Sequence, residues 1–148
     1  MTPRSLYISV AVLVFASCGN ADSPADIEAA REAGSKQVTT VQWIDSVRNY
    51  GKIIEGQKLA VSFRFKNTGN KPLVIESVHP ACGCTVADYP KQPLKPGEEG
   101  EITGEFNSEG REGRQHKEIA VTTNTPAHTQ NLIFEVDVAG RPQKNSNN

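Results

Sequence analysis

Residues 58–66 read KLAVSFRFK, and this run decides the fold. Leu59, Val61, Phe63 and Phe65 alternate with Ala60, Ser62, Arg64 and Lys66, so an extended chain carries one apolar face and one wet face. Such a pattern belongs to a half-buried antiparallel strand. Residues 67–70, NTGN, tolerate the backbone of a tight turn, and residues 72–78 are extended again, so the pair is expected to form a hairpin.

The same punctuation recurs on both sides. Residues 39–44 form a first strand, in which Trp43 is expected to cover the core or its edge. Residues 49–56 make a turn, a short strand and a second turn. Residues 89–97, YPKQPLKPG, hold three prolines and are expected to cross the surface, with Pro96-Gly97 as a turn. Residues 100–107 are a strand with Ile102 and Phe106 on one face, and residues 108–113 a polar loop. Residues 115–123 place Ile119 and Val121 inward. Residues 130–140 alternate Leu132, Phe134, Val136 and Val138 with more polar neighbours. About seven strands with no crossover helix point to an all-β, immunoglobulin-like antiparallel sandwich over residues 39–140.

Outside that body the composition changes. Residues 1–17 carry Arg4 and then an apolar run over 6–16, shorter than the ~20 residues needed to span a bilayer, which is the pattern of a secretory signal. Phe15-Ala16-Ser17-Cys18 resembles a lipoprotein cleavage box. Residues 1–17 are therefore expected to be removed and Cys18 lipidated. Acyl chains contribute about 0.8 kcal/mol per buried methylene, enough in pairs to hold a protein on a membrane without a spanning helix. Gly19 stands where an Asp would favour inner-membrane retention, so the expected location is the cell envelope, at the outer membrane of a Gram-negative bacterium. Residues 18–38 are polar and rich in small side chains, and are expected to form a flexible linker, with some helix propensity over 25–33. Residues 141–148 are expected to be a disordered tail.

Chemistry-bearing residues gather in residues 78–85, VHPACGCT. Cys82 and Cys84 are two positions apart, so on an extended strand both side chains share a face. They suit a buried pair, a disulfide in the oxidising envelope, or a redox element, because so small a ring removes little chain entropy and is strained. A soft metal such as Cu(I) is a further option, with His79 as third ligand, although Pro80 works against convergence. A structural zinc site needs four ligands, and only His116, His128 and Asp88 remain as distant candidates. No cofactor motif, nucleotide loop or Ser-His-Asp order is present. The net charge of −1 over 148 residues excludes the basic footprint of a nucleic-acid binder.

The order FRFKNTGNKPLVIESV, ACGCT, KPGEEGEITGEFNSEGREGRQHKEIAVTTN and a last strand ending in Gly140 is similar to the bacterial family called domain of unknown function 1573. These are small Ig-like domains often found behind lipoprotein signals, and the resemblance covers roughly residues 43–140. It implies a fold related to Ig-like domains of periplasmic chaperones and of cilium and centrosome proteins, and it implies no activity. The expected function is a non-enzymatic, lipid-anchored envelope module that binds another envelope protein or a glycan. The alternative is a thiol-redox or copper-handling envelope protein acting through Cys82 and Cys84.

Overall fold

A computed structural model describes residues 23–142. In chain order these form α1 (Pro24–Ser35), β1 (Val41–Trp43), β2 (Val47–Ile54), β3 (Lys58–Asn67), β4 (Ile75–Pro80), β5 (Thr85–Asp88), β6 (Glu99–Asn107), β7 (Gly113–Thr123) and β8 (Thr129–Ala139). The strands make two four-stranded sheets, one ordered β1-β3-β6-β5 and the other β2-β8-β7-β4. The first is antiparallel throughout, and in the second β2 runs parallel to β8. This is the immunoglobulin-like sandwich expected from the alternating runs.

Its core follows from the alternation. Val61, Phe63 and Phe65 of β3 point inward with Ile102 and Phe106 of β6, and meet Ile119 and Val121 of β7 and Leu132, Phe134, Val136 and Val138 of β8. Each large apolar side chain removed from water stabilises the fold by about 1.5–3 kcal/mol. The two sheets touch ring to ring, Phe106 lying edge-on to Phe134 with centroids 5.7 Å apart.

The expected hairpin is overturned. β3 and β4 lie in different sheets, so the chain leaves Asn67 and crosses the end of the sandwich. Buried Asn67 organises that crossing: its amide donates to the carbonyls of Lys71 and Leu94, and its oxygen accepts from the Gly69 N–H and the Thr39 hydroxyl. The proline-rich connection is likewise more than a surface crossing. Leu94 is buried within it and exchanges two 2.8 Å hydrogen bonds with Leu73. Pro96-Gly97 does form the expected turn, with the Glu98 N–H donating to the Lys95 carbonyl and Gly97 at φ +82°.

The stretch expected as a flexible linker is also different. Residues 24–35 are helical and docked, because the helix finds specific partners on the body that offset its ordering entropy. Arg31 donates to the carbonyls of Lys91 and Ile75 at 2.8 and 2.9 Å. Gly34 is buried so closely that a Cβ would lie 2.7 Å from Val74 Cγ2. Buried Asn124, at the end of β7, completes the dock: its amide donates to the carbonyls of Gly34, Gln37 and Pro72, and its oxygen accepts from the Val74 N–H. The signal segment 1–17, Cys18 and residues 143–148 lie outside the described residues.

Replacing Asn124 by Ala leaves the buried Val74 N–H and the carbonyls of Gln37 and Pro72 without their partner, while the Gly34 carbonyl keeps the Gln37 N–H. Urea unfolding of Asn124→Ala is expected to show a loss of at least ~2 kcal/mol. Amide exchange over residues 24–35 should accelerate at the same time.

Candidate functional site: the cysteine turn between the sheets

The motif at residues 78–85 is a crossover. β4 brings the chain up the edge of one sheet, the cysteines turn it, and β5 runs along the edge of the other. Both ends are tied: the Ala81 N–H donates to the Glu118 carbonyl on the β7 side, and the Cys84 carbonyl accepts from the Asn107 N–H on the β6 side. Inside the turn the Thr85 N–H donates to the Cys82 carbonyl. Alternation does not extend through it, which explains why β5 escaped the sequence reading: its four residues hold only Ala87 as a partly buried apolar side chain beside exposed Val86.

Cys82 and Cys84 are joined as a disulfide, with Cα atoms 5.3 Å apart. Cys84 belongs to the core and Cys82 packs against it, and the Thr85 hydroxyl lies 3.7 Å from the Cys82 sulfur. In this state neither sulfur is a thiolate, so soft-metal ligation by the pair requires prior reduction. His79 stands exposed on β4, and among the described residues no three His, Cys, Asp or Glu side chains gather in a metal-binding group.

The other candidate ligands are apart from the turn, and two of them, His116 and Asp88, are paired with other side chains. His116 faces Glu135 through Nδ1 at 3.3 Å and Glu118 through Nε2 at 3.6 Å. His128 sits in the β7–β8 turn at φ 55°, its backbone N–H donating to the Thr125 carbonyl. Asp88 accepts from the Tyr89 N–H and pairs with Lys91 at 3.2 Å, and those contacts, the first above all, hold its carboxyl below the usual range. On the outer face of the second sheet, the Arg114 guanidinium at 2.7 Å, helped by His116, lowers the Glu135 carboxyl likewise.

Sequence reasoning missed a second feature. Trp43 does cover the core edge, its ring 5.2 Å from Phe65, but it also lines an apolar groove together with Val41, Pro126 and Ala127. The signal was thin, since Pro126-Ala127 is far from Trp43 in the chain and reads as an ordinary turn. Among the described residues no helix is long and apolar enough to cross a membrane.

Comparison with known proteins places this geometry. The family described as protein of unknown function (DUF1573) matches residues 41–138. No curated protein matches the sequence. Among solved structures, a protein of unknown function from Porphyromonas gingivalis W83 superposes with a TM-score of 0.61 at 17% identity, over 70% of this chain and 48% of that one. The ASH/PapD-like domain 7 of human CEP192 gives 0.55 at 11% identity, over 71% and 89%. The VesB protease of Vibrio cholerae gives 0.52 at 12% identity, over 72% of this chain and 33% of the protease. The chain thus spans half or less of the first and third of these proteins, and at such identities the likeness shows the fold alone.

Two outcomes follow from the site. A disulfide closing a three-residue loop removes about 1.6 kcal/mol of chain entropy from the unfolded state, so reductant is expected to lower the urea-unfolding free energy by ~1–2 kcal/mol and leave the fold intact. Global unfolding on reduction would contradict this role. For Glu135, a depressed carboxyl pKa contributes stability above the ordinary value of about 4.3, and that contribution disappears as pH falls through the folded value. NMR titration should find the Glu135 midpoint below that of a free glutamate, and Arg114→Ala should raise it.

Proposed function

This chain belongs to the family of unknown function DUF1573, and from that premise we propose that it is a non-enzymatic binding module of the cell envelope, held on the membrane by lipid at Cys18. One observation carries the binding half of this reading. Among the described residues, the large apolar side chains left in water are Val38, three residues before edge strand β1, and Ile44, Val47, Ile54 and Val86, which lie on or next to edge strands β1, β2 and β5. Edge strands with exposed apolar side chains promote association, and monomeric proteins usually blunt them.

The anchoring half rests on the sequence pattern at Cys18 together with α1. Helix α1 begins six residues after Cys18 and is docked on the body, so the lipid would hold the sandwich near the bilayer and not at the end of a long free tether. Five intervening residues reach about 18 Å at most when extended. The partner is then an envelope protein or glycan close to the same membrane, and the outer membrane is the proposed site. The Cys82–Cys84 bond serves as a clip that holds the crossover between β4 and β5, in line with its ties to both sheets.

Metabolic labelling of cells with an alkyne palmitate should tag this protein. Cys18→Ser should abolish both the label and the membrane association. Retention of the label in Cys18→Ser, or turnover of a substrate by the purified protein that the variant shares, would replace this reading.

A further inference from the structure

The four sheet edges are not equivalent. On β4, Arg31 takes the carbonyls of Ile75 and Glu76 at 2.9 and 3.5 Å, and Pro80 offers no N–H. On β3, beyond the end of β1, the Tyr50 hydroxyl accepts from the Ser62 N–H at 2.8 Å, and Arg48 donates to the Ser62 carbonyl at 3.0 Å. On β2, the register breaks between Asn49 and Lys52, the Gly51 N–H is satisfied by the Asn49 side chain, and the Ile54 N–H by Gln57. Beside strand β5 the surface is lined by Asp88 and Glu105. Edges β4 and β2, and the stretch of β3 beyond β1, are thus capped by side chains or interrupted, and β5 opens onto a surface that carries two carboxylates.

β1 is different. Thr40 and Ile44 bond to β3 through Thr68 and Arg64, and Gln42 pairs between them with Lys66. By the alternation of an antiparallel ladder, the backbone groups of Val41 and Trp43 therefore face away from β3. Among the described residues nothing bonds to them. The groove lined by the Val41 and Trp43 side chains and walled by Pro126 and Ala127 opens beside this edge. Its lining, completed by threonines and Gln130, carries no charged side chain. The outer faces of the sheets are by contrast laced with ion pairs such as Lys58–Glu105 and Arg114–Glu135.

We propose that the β1 edge is a strand-docking site for an extended, uncharged peptide segment of a partner protein, which pairs its backbone with Val41 and Trp43 and lays alternate small apolar side chains into the groove. The occupant follows from the chemistry present. Free N–H and C=O groups spaced two residues apart match the repeat of another strand. A groove without charge matches a segment without charge, because a buried unpaired charge would carry a large desolvation cost. The site rests on the binding-module reading above and names the surface and the partner class for it.

The test uses the chain as isolated from cells in detergent, with a short capped peptide alternating serine and valine as probe, followed by amide hydrogen exchange. At ten times the dissociation constant only about a tenth of the molecules stay free, so exchange at Val41 and Trp43 should slow ~10-fold. The Gln42 amide, already paired, should change little. Ala127→Glu, on the exposed groove wall, should weaken the peptide by more than ~10-fold without altering urea stability. Lack of protection up to ~1 mM peptide, protection at β2 or β5 instead, or equal binding of a peptide N-methylated at alternate amides would each overturn the strand-docking site. So would a neutral oligosaccharide that perturbs Trp43 where the peptide does not. Crosslinks to an envelope partner mapped elsewhere on the domain would leave the binding-module reading standing while this edge assignment failed.

Discussion

Two buried side-chain amides hold one end of this sandwich together. Asn67 gathers the turn after β3 and the proline-rich connection, and Asn124 gathers the end of β7, the last residues of the crossing to β4 and the C-terminus of α1. Asn124 gives the Val74 N–H a partner that it would otherwise lack in a buried place, where an unmade hydrogen bond costs about 1–3 kcal/mol, and Asn67 adds further bonds to loop groups already paired with one another. Sheet order, the docked helix and the burial of Leu73 and Leu94 all depend on these loops being closed in this way. Hydrophobic alternation could press two sheets together in several topologies. The amides select one.

At the far end of β6 the disulfide has a smaller task. Its turn is already tied to both sheets through Ala81 and Cys84, and the bond keeps the chain from opening between those ties. The packing of Cys84 in the core makes the pair part of the fold's rim rather than a free-standing reactive group. Function is better sought where the fold leaves something unfinished. Side chains and prolines cap most of the edges, while Val41 and Trp43 keep backbone groups turned outward beside a groove without charge.

Much of this architecture was legible from residue patterns. The long alternating strands β3, β6, β7 and β8 read correctly because period-two burial depends only on local chain geometry. The turn at Pro96-Gly97 read correctly because its backbone requirement is local too. The supposed hairpin after Asn67 failed because a turn-forming sequence does not say which sheet the next strand joins. The linker failed for a related reason: the helix over Pro24–Ser35 has little burial pattern of its own and owes its place to Asn124 and to carbonyls more than forty residues away.

By itself, then, the sequence determined an all-β sandwich, its inward-facing residues, the cysteine pair as its unusual feature and the expectation of a lipid at Cys18, since each is written in a short stretch of residues. Only the tertiary structure decided the pairing of the strands, the docking of α1, the linking role of the cysteine turn and the difference between the open β1 edge and its capped counterparts. Those depend on hydrogen bonds between residues distant in the chain, such as Tyr50 to Ser62 and Asn124 to Gly34, which no local pattern announces.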